Sequence, residues 1–299
     1  MGRRPRTPLP TPSPGRPLKA RPASADDLLV QARSALLDAL TAPSDHHDSV
    51  VVIGAQAIYL HTGEANVALA AATKDSDLAL DSRSLRSEPL IEAAMTKANF
   101  ILNPDPGQPG SWINSQGVPV DLMVPEAIAG RPSRRRADIP PHARAATRRA
   151  VGLEAAVVDH AEMRIRSLSK SDPRVVSAQV AGPAALLVAK LHKLGERQND
   201  PNRLVDKDAH DVYRLLVAIS TDRLAVGLHR LSNDDLAGPV TAQALTYMAD
   251  LFAAGVTAPG SVMAGRAEEG IGEPDVVAAS CAVLAPDILA AVTDLGNRT

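Results

Sequence analysis

The chain has 299 residues, 45% of them apolar, and a net charge of −2, enough for one large domain or two ordinary ones with a sizeable core. Aromatic residues are only 2%, so that core must be Leu, Val, Ile and Ala, and base-stacking platforms for single-stranded nucleic acid are disfavoured. The single cysteine, Cys281, excludes an internal disulfide framework and a cysteine-based zinc knuckle, and fits a cytoplasmic location.

Residues 1–24 are basic and rich in Pro, Arg and Ser, lack the apolar segment of a secretory signal, and read as a disordered tail. Order is expected from Ser24, where SADD resembles a capping box and Leu28, Leu29, Ala32, Leu36 and Leu37 recur at helical spacing. APSDHHD breaks that pattern; its consecutive His and Asp residues would diverge, which favours a polar turn over a metal site. Ser49–Ile53 is β-branched and reads as a buried strand, ended by Gly54 and followed by a helix, AQAIYLHT, that stops at Gly63.

DSDLAL, Asp75 to Leu80, alternates polar and apolar residues and predicts a strand. EPLIEAAMTKA predicts a helix with Pro89 in its first turn, NFIL a short strand, and SWIN with GVPVDLMV an antiparallel pair. Residues 131–149 form a basic, proline-interrupted connection carrying Arg131, Arg134, Arg135, Arg136, Arg144, Arg148 and Arg149. Two strands follow, in AAVVDHAEMRIRSL and PRVVSAQV, and from Pro183 the pattern is helical. The order indicates a mixed α/β (α+β) sheet domain over 25–180 and a helical domain over 181–299. No apolar run approaches the roughly 20 residues that span a bilayer, so no membrane partner is expected.

A strand puts residues i and i+2 on one face, so Asp75 and Asp77 project together while Ser76 turns away. Two ionised carboxylates this close raise each other's pKa unless a cation neutralises them, and Mg²⁺ suits hard oxygen ligands. Asp121, the only acid in VPVDLMV, could complete the metal set from a neighbouring strand. Gly54, at a strand-to-helix junction, lets a phosphate approach backbone N–H groups. Farther on, Lys190, Lys193 and Arg197 share one face of a helix whose apolar stripe is Ala184, Leu187, Leu191 and Leu194. Asp208 and Asp211 share a face of the next helix, with Val212, Leu215, Leu216 and Ile219 toward the core. His192 and His210 flank these charges and read as ordinary helix histidines, and Cys281, in VVAASCAVLA, as a small core residue.

Gly54-Ala55, TKDSDLAL and VPVDLMV resemble the nucleotidyltransferase superfamily, the polymerase-β-like fold. The 21-residue step from Gly54 to Asp75, and GPAALLVAKLHKLGERQNDPNRLVDKDAHDVYRLL after it, resemble the AbiEii-type toxins of type IV toxin–antitoxin systems. The resemblance covers about residues 48–217. It implies a nucleoside triphosphate substrate, Mg²⁺ on Asp75, Asp77 and Asp121, an RNA (possibly tRNA) or protein acceptor, and a cognate antitoxin. It implies catalytic roles for those acids with Lys190 and Asp211, and nucleotide binding by Gly54, Ala55, Thr73, Lys74, Lys193 and Asp208. Ala55 departs from the family's Gly or Ser: it keeps the N–H but offers no hydroxyl. Two other readings stand beside this one. An antibiotic-modifying adenylyltransferase has a shorter glycine-to-acid step, and a catalytically weak nucleotide- or partner-binding module would account for Ala55.

Overall fold

The computed structural model describes residues 25–42, 44–63, 67, 73–105, 107–198, 200 and 204–298. The expected tail and the Ser24 cap lie outside the described residues. The first helix, α1 (Ala25–Thr41), opens with Asp26 and Asp27, which favour a helix N-terminus, and buries Ala32, Ala35, Leu36 and Ala39 on one face. A 3₁₀ turn, Ser44–Ser49, holds the DHHD run. His46 is buried there and its Nε2 lies 2.7 Å from the Pro89 carbonyl.

The four residues of β1 (Val50–Ile53) are all buried, as an internal strand requires. The chain then enters α2 (Gly54–Thr62), β2 (Ser76–Leu80), α3 (Ile91–Lys97), β3 (Ile101–Leu102), β4 (Ser111–Ile113) and β5 (Pro119–Pro125). Pro89 stands two residues ahead of α3 rather than in its first turn. Within the basic connection Arg148–Ala150 forms β6, a strand too short and too charged for its alternation to announce it. β7 (His160–Arg166) and β8 (Val175–Ala181) pair antiparallel as expected.

The sheet has the order β3-β4-β5-β2-β1-β8-β7, with β6 beside the end of β5. β2 runs antiparallel to β1 and parallel to β5, so the sheet is mixed. α1 covers one face, where Ser76 Oγ donates to the Ala32 carbonyl. On β2 Ser76 therefore turns to α1, and Asp77 to the opposite face.

After β8 the chain is helical: α4 (Pro183–Gly195), α5 (Asp206–Ala218), α6 (Thr221–Ser232), α7 (Gly238–Met248), a π-helical turn at Ala249–Ala253, α8 (Pro259–Arg266) and α9 (Pro274–Gly296). Pro183 occupies the first turn of α4, where its missing N–H costs nothing. The stripes read from the sequence are buried: Ala184, Leu187, Leu191 and Leu194 on α4, and Val212, Leu215, Leu216 and Ile219 on or just after α5. α9 corrects the expectation about apolar runs. Its 23 residues are long and apolar enough to cross a membrane by length and composition, yet Val277, Cys281, Ala285 and Ile288 form a buried face against the neighbouring helices. Burial pushes the Cys281 thiol up to about 12, so it packs rather than reacts.

Candidate active site

The acids meet through strand register. Asp77 of β2 stands directly opposite Asp121 of β5, and opposite Ile53 at the end of β1. Gly54 follows Ile53 with φ +68°, a left-handed conformation that glycine adopts freely. A Cβ built on Gly54 would collide with Asp77 Oδ2. The glycine thus clears the space in which the carboxylate sits. Gly54→Ala should impose both left-handed strain, about 1–2 kcal/mol, and displacement of Asp77. Chemical denaturation should record the first as a lowered midpoint, and a loss of metal or nucleotide binding the second.

Asp75 precedes β2 instead of lying within it, and is exposed. It still acts on Asp77: burial first, then repulsion from Asp75 and Asp121, raise the Asp77 carboxyl to about 6. Among the described residues Asp77 forms no salt bridge. Asp121 does, with Arg148 Nη2 2.7 Å from its Oδ2. Arg148 is opposite Met123 in the β5–β6 ladder, two residues from Asp121, which places both side chains on one face.

A cleft of about 410 Å³ opens over this acidic end of the sheet. Gly54 and Asp77 line it on one side, Lys190 and Lys193 of α4 with Arg197 just past its end on another, and Arg134, Arg135, Arg148 and Arg149 on a third. The basic connection thus borders the same space as Asp77. Its other members differ: Arg131 and Arg144 pair with Asp138.

The charges behind the cleft form a network. Buried Lys190 Nζ lies 2.8 Å from Asp208 Oδ1 and 2.6 Å from Asp211 Oδ2. Lys193 reaches Asp208 at 2.9 Å, Arg197 reaches it at 3.7 Å, and Lys207 approaches Asp211 at 3.4 Å. Burial alone would raise the Asp208 carboxyl, but the ammonium groups of Lys190 and Lys193 outweigh it and hold the carboxyl well below the usual range. Burial likewise opposes the Lys190 charge, and Asp208 and Asp211 outweigh it, holding that ammonium above its ordinary range. Lys193 is half-exposed, and burial together with Lys190 lowers it, while Asp208 and Asp77 pull the other way.

The structure therefore brings Gly54, Asp77, Lys190 and Lys193 to one cleft, with Asp121 joined to it through Arg148. Asp208 and Asp211 stand behind as partners of the lysines. Ala55 and Thr73 are buried, and Lys74 is exposed beside Asp75; none of the three lines the cleft. Sequence reasoning missed the Asp121–Arg148 pair, since nothing in RRA announces a strand. Both helix histidines are engaged internally: His192 Nε2 lies 2.7 Å from the Val240 carbonyl, its buried Nδ1 having no hydrogen-bond partner among the described residues, and His210 Nε2 lies 2.8 Å from Glu268 Oε1.

For a divalent cation the donor chemistry fits: three carboxylates, two of them in adjacent register, and mutual repulsion that a cation would relieve. The fit is of chemistry and proximity rather than a closed cage, for no three of the described acids, histidines or cysteines already converge as a metal cluster.

A nucleotidyltransferase family profile matches residues 31–234, about two thirds of the chain and spanning every element that builds this cleft. The chain belongs to that family, and is a nucleotidyltransferase. A crystal structure from H. pylori, provisionally assigned as a nucleotidyltransferase, aligns over 89% of this chain and 97% of its own at 11% identity, with a TM-score of 0.33. No curated protein matches the chain.

Proposed function

We propose that this nucleotidyltransferase transfers a nucleotide from a nucleoside triphosphate to a hydroxyl of RNA in a Mg²⁺-dependent reaction. The observation that carries the reading is the convergence of Gly54, Asp77, Lys193 and five arginines on one cleft. Asp75, Asp77 and Asp121 would hold the ions. Bound Mg²⁺ would neutralise charge on the α-phosphate and on the leaving pyrophosphate. The N–H groups that open α2, that of Ala55 included, would bind phosphate oxygens. Lys193 would hold phosphate oxygens, with Lys190 fixed by Asp208 and Asp211 to keep α4 in place.

In the transfer, the acceptor oxygen forms a bond to the α-phosphorus as the bond to the bridging oxygen breaks, and pyrophosphate leaves. Asp121 would accept the hydroxyl proton. The arginine wall favours RNA, because guanidinium groups match phosphate geometry and a polyanion supplies a row of phosphates. The finer reading, a cytoplasmic AbiEii-type toxin held by a cognate antitoxin, is supported by the resemblance of the two sequence stretches.

The test is incubation with each labelled triphosphate, Mg²⁺ and total RNA, beside Asp77→Ala. Label should enter RNA only with the intact protein. Absence of transfer to RNA, protein or small molecules would overturn the proposal.

A further inference from the structure

Two carboxylates meant for one cation are treated differently. Asp77 forms no salt bridge among the described residues, whereas Asp121 is neutralised by Arg148 at 2.7 Å. A cation entering between them meets a guanidinium already on one of its ligands. A guanidinium bound to a carboxylate repels a metal ion approaching the same oxygens, and so weakens the carboxylate's hold on that ion.

The guanidinium is also positioned to leave. Its side chain is 33% exposed, against 14% for Asp121, and it lines the cleft. Arg148 Nη2 lies 3.2 Å from Met123 Sδ, a weak acceptor. Its backbone is held by the β5–β6 ladder, so movement falls to the side chain. A phosphate offers it two parallel charge-assisted hydrogen bonds. Arg149 contrasts: its side chain is engaged by Glu126 at 2.8 Å and by the carbonyls of Arg131 and Ser133.

We propose that Arg148 is a removable counter-ion for Asp121, which it masks in the ligand-free protein and releases when a phosphate group enters the cleft and takes the guanidinium. This rests on the reading of Asp77 and Asp121 as metal ligands. Metal binding and phosphate binding are then coupled through one side chain, and the empty protein holds its metal weakly. The phosphate comes from the triphosphate or from the RNA acceptor; either has the required chemistry.

The test measures Mn²⁺ binding to the full chain by electron paramagnetic resonance, which requires no turnover. Arg148→Gln should bind Mn²⁺ about tenfold more tightly than the wild type. Arg134→Gln, which removes the same charge from the same cleft, should change the affinity by less than about twofold. In an Asp121→Asn background the Arg148→Gln gain should vanish, which separates a specific mask from a general field. Thermal melts confirm that each variant folds, and Arg148→Lys, which keeps the charge, should stay near the wild type.

In a second arm, in EDTA, a non-hydrolysable triphosphate analogue and a ten-nucleotide RNA are titrated separately. The probe whose binding weakens about tenfold in Arg148→Gln is the one that takes the guanidinium. Equal Mn²⁺ affinity in wild type and Arg148→Gln, no Mn²⁺ binding by either, or no weakening for either probe overturns the inference. Absence of transfer by the wild type alongside tighter Mn²⁺ binding by Arg148→Gln would overturn the proposed reaction and leave the mask standing.

Discussion

Asp77→Asn is expected to reduce nucleotide transfer by about 10²–10³-fold or more while leaving the protein as stable as the wild type or slightly more so. The two effects share one cause. Burial and the repulsion of Asp75 and Asp121 raise the Asp77 carboxyl to about 6. An acid raised in the folded state is one whose ionised form opposes folding at neutral pH. Neutral Asn removes that opposition along with the charge the proposed chemistry requires. Such a trade between stability and activity is usual where like charges are held together for function. Label incorporation and a thermal melt on the same preparation test both halves. A large fall in melting temperature would show that Asp77 supports the fold instead.

The opposite pattern is expected for Lys190→Met. Methionine fills a similar volume, so the loss falls on charge. Asp208 and Asp211 would be left buried beside an apolar side chain, Asp208 with Lys193 and Arg197 and Asp211 with Lys207. Removing one partner of a buried ionic group costs about 3–5 kcal/mol. Urea denaturation should show the midpoint falling with little change in slope. Lys190→Met with Asp211→Asn should recover part of the loss, because the least compensated carboxylate is then gone. Full stability in the single variant would mean that the network is not what docks α4 against α5.

The same network sets an acid limit. The Asp208 carboxyl lies below its unfolded value, so its contribution is complete above the ordinary carboxylate range and is lost as pH falls through the folded value. Lys190 is raised, so its contribution is complete below the ordinary lysine range and is lost only as pH climbs above it. Stability from this source should be flat between about pH 5 and 9, and Lys190→Met should remove the steep acid limb of the wild-type pH–stability curve.

Much of this arrangement is legible in the sequence, for reasons particular residues make plain. Val50–Ile53 are continuously apolar because both faces of β1 are covered, and Gly54 punctuates the run because Asp77 occupies the space of its Cβ. The α4 and α5 stripes repeat at helical spacing, which also fixes which charges share their flanks. What stayed hidden is non-local. Asp121 is expected beside the acid pair, and the β2–β5 register puts it opposite Asp77, but its partner is not: Arg148 meets Asp121 through a three-residue strand whose residues are mostly charged. Periodicity cannot report partners brought together by topology. Pro89 misled for a local reason: a proline just before a helix reads like one in its first turn. α9 misled because its few acids interrupt an apolar sequence without lowering its average enough to matter.

The parallel pairing of β2 and β5 has a bearing on the order of synthesis. The two strands are neighbours in space, yet the chain must emerge through α3, β3 and β4 before Asp121 can join Asp77, and through β6, β7 and β8 before Lys193 follows. A nascent chain arrested anywhere short of α4 carries an unfinished half of the machinery. In the proposed reaction, transfer cannot begin while the messenger is still being read through that point.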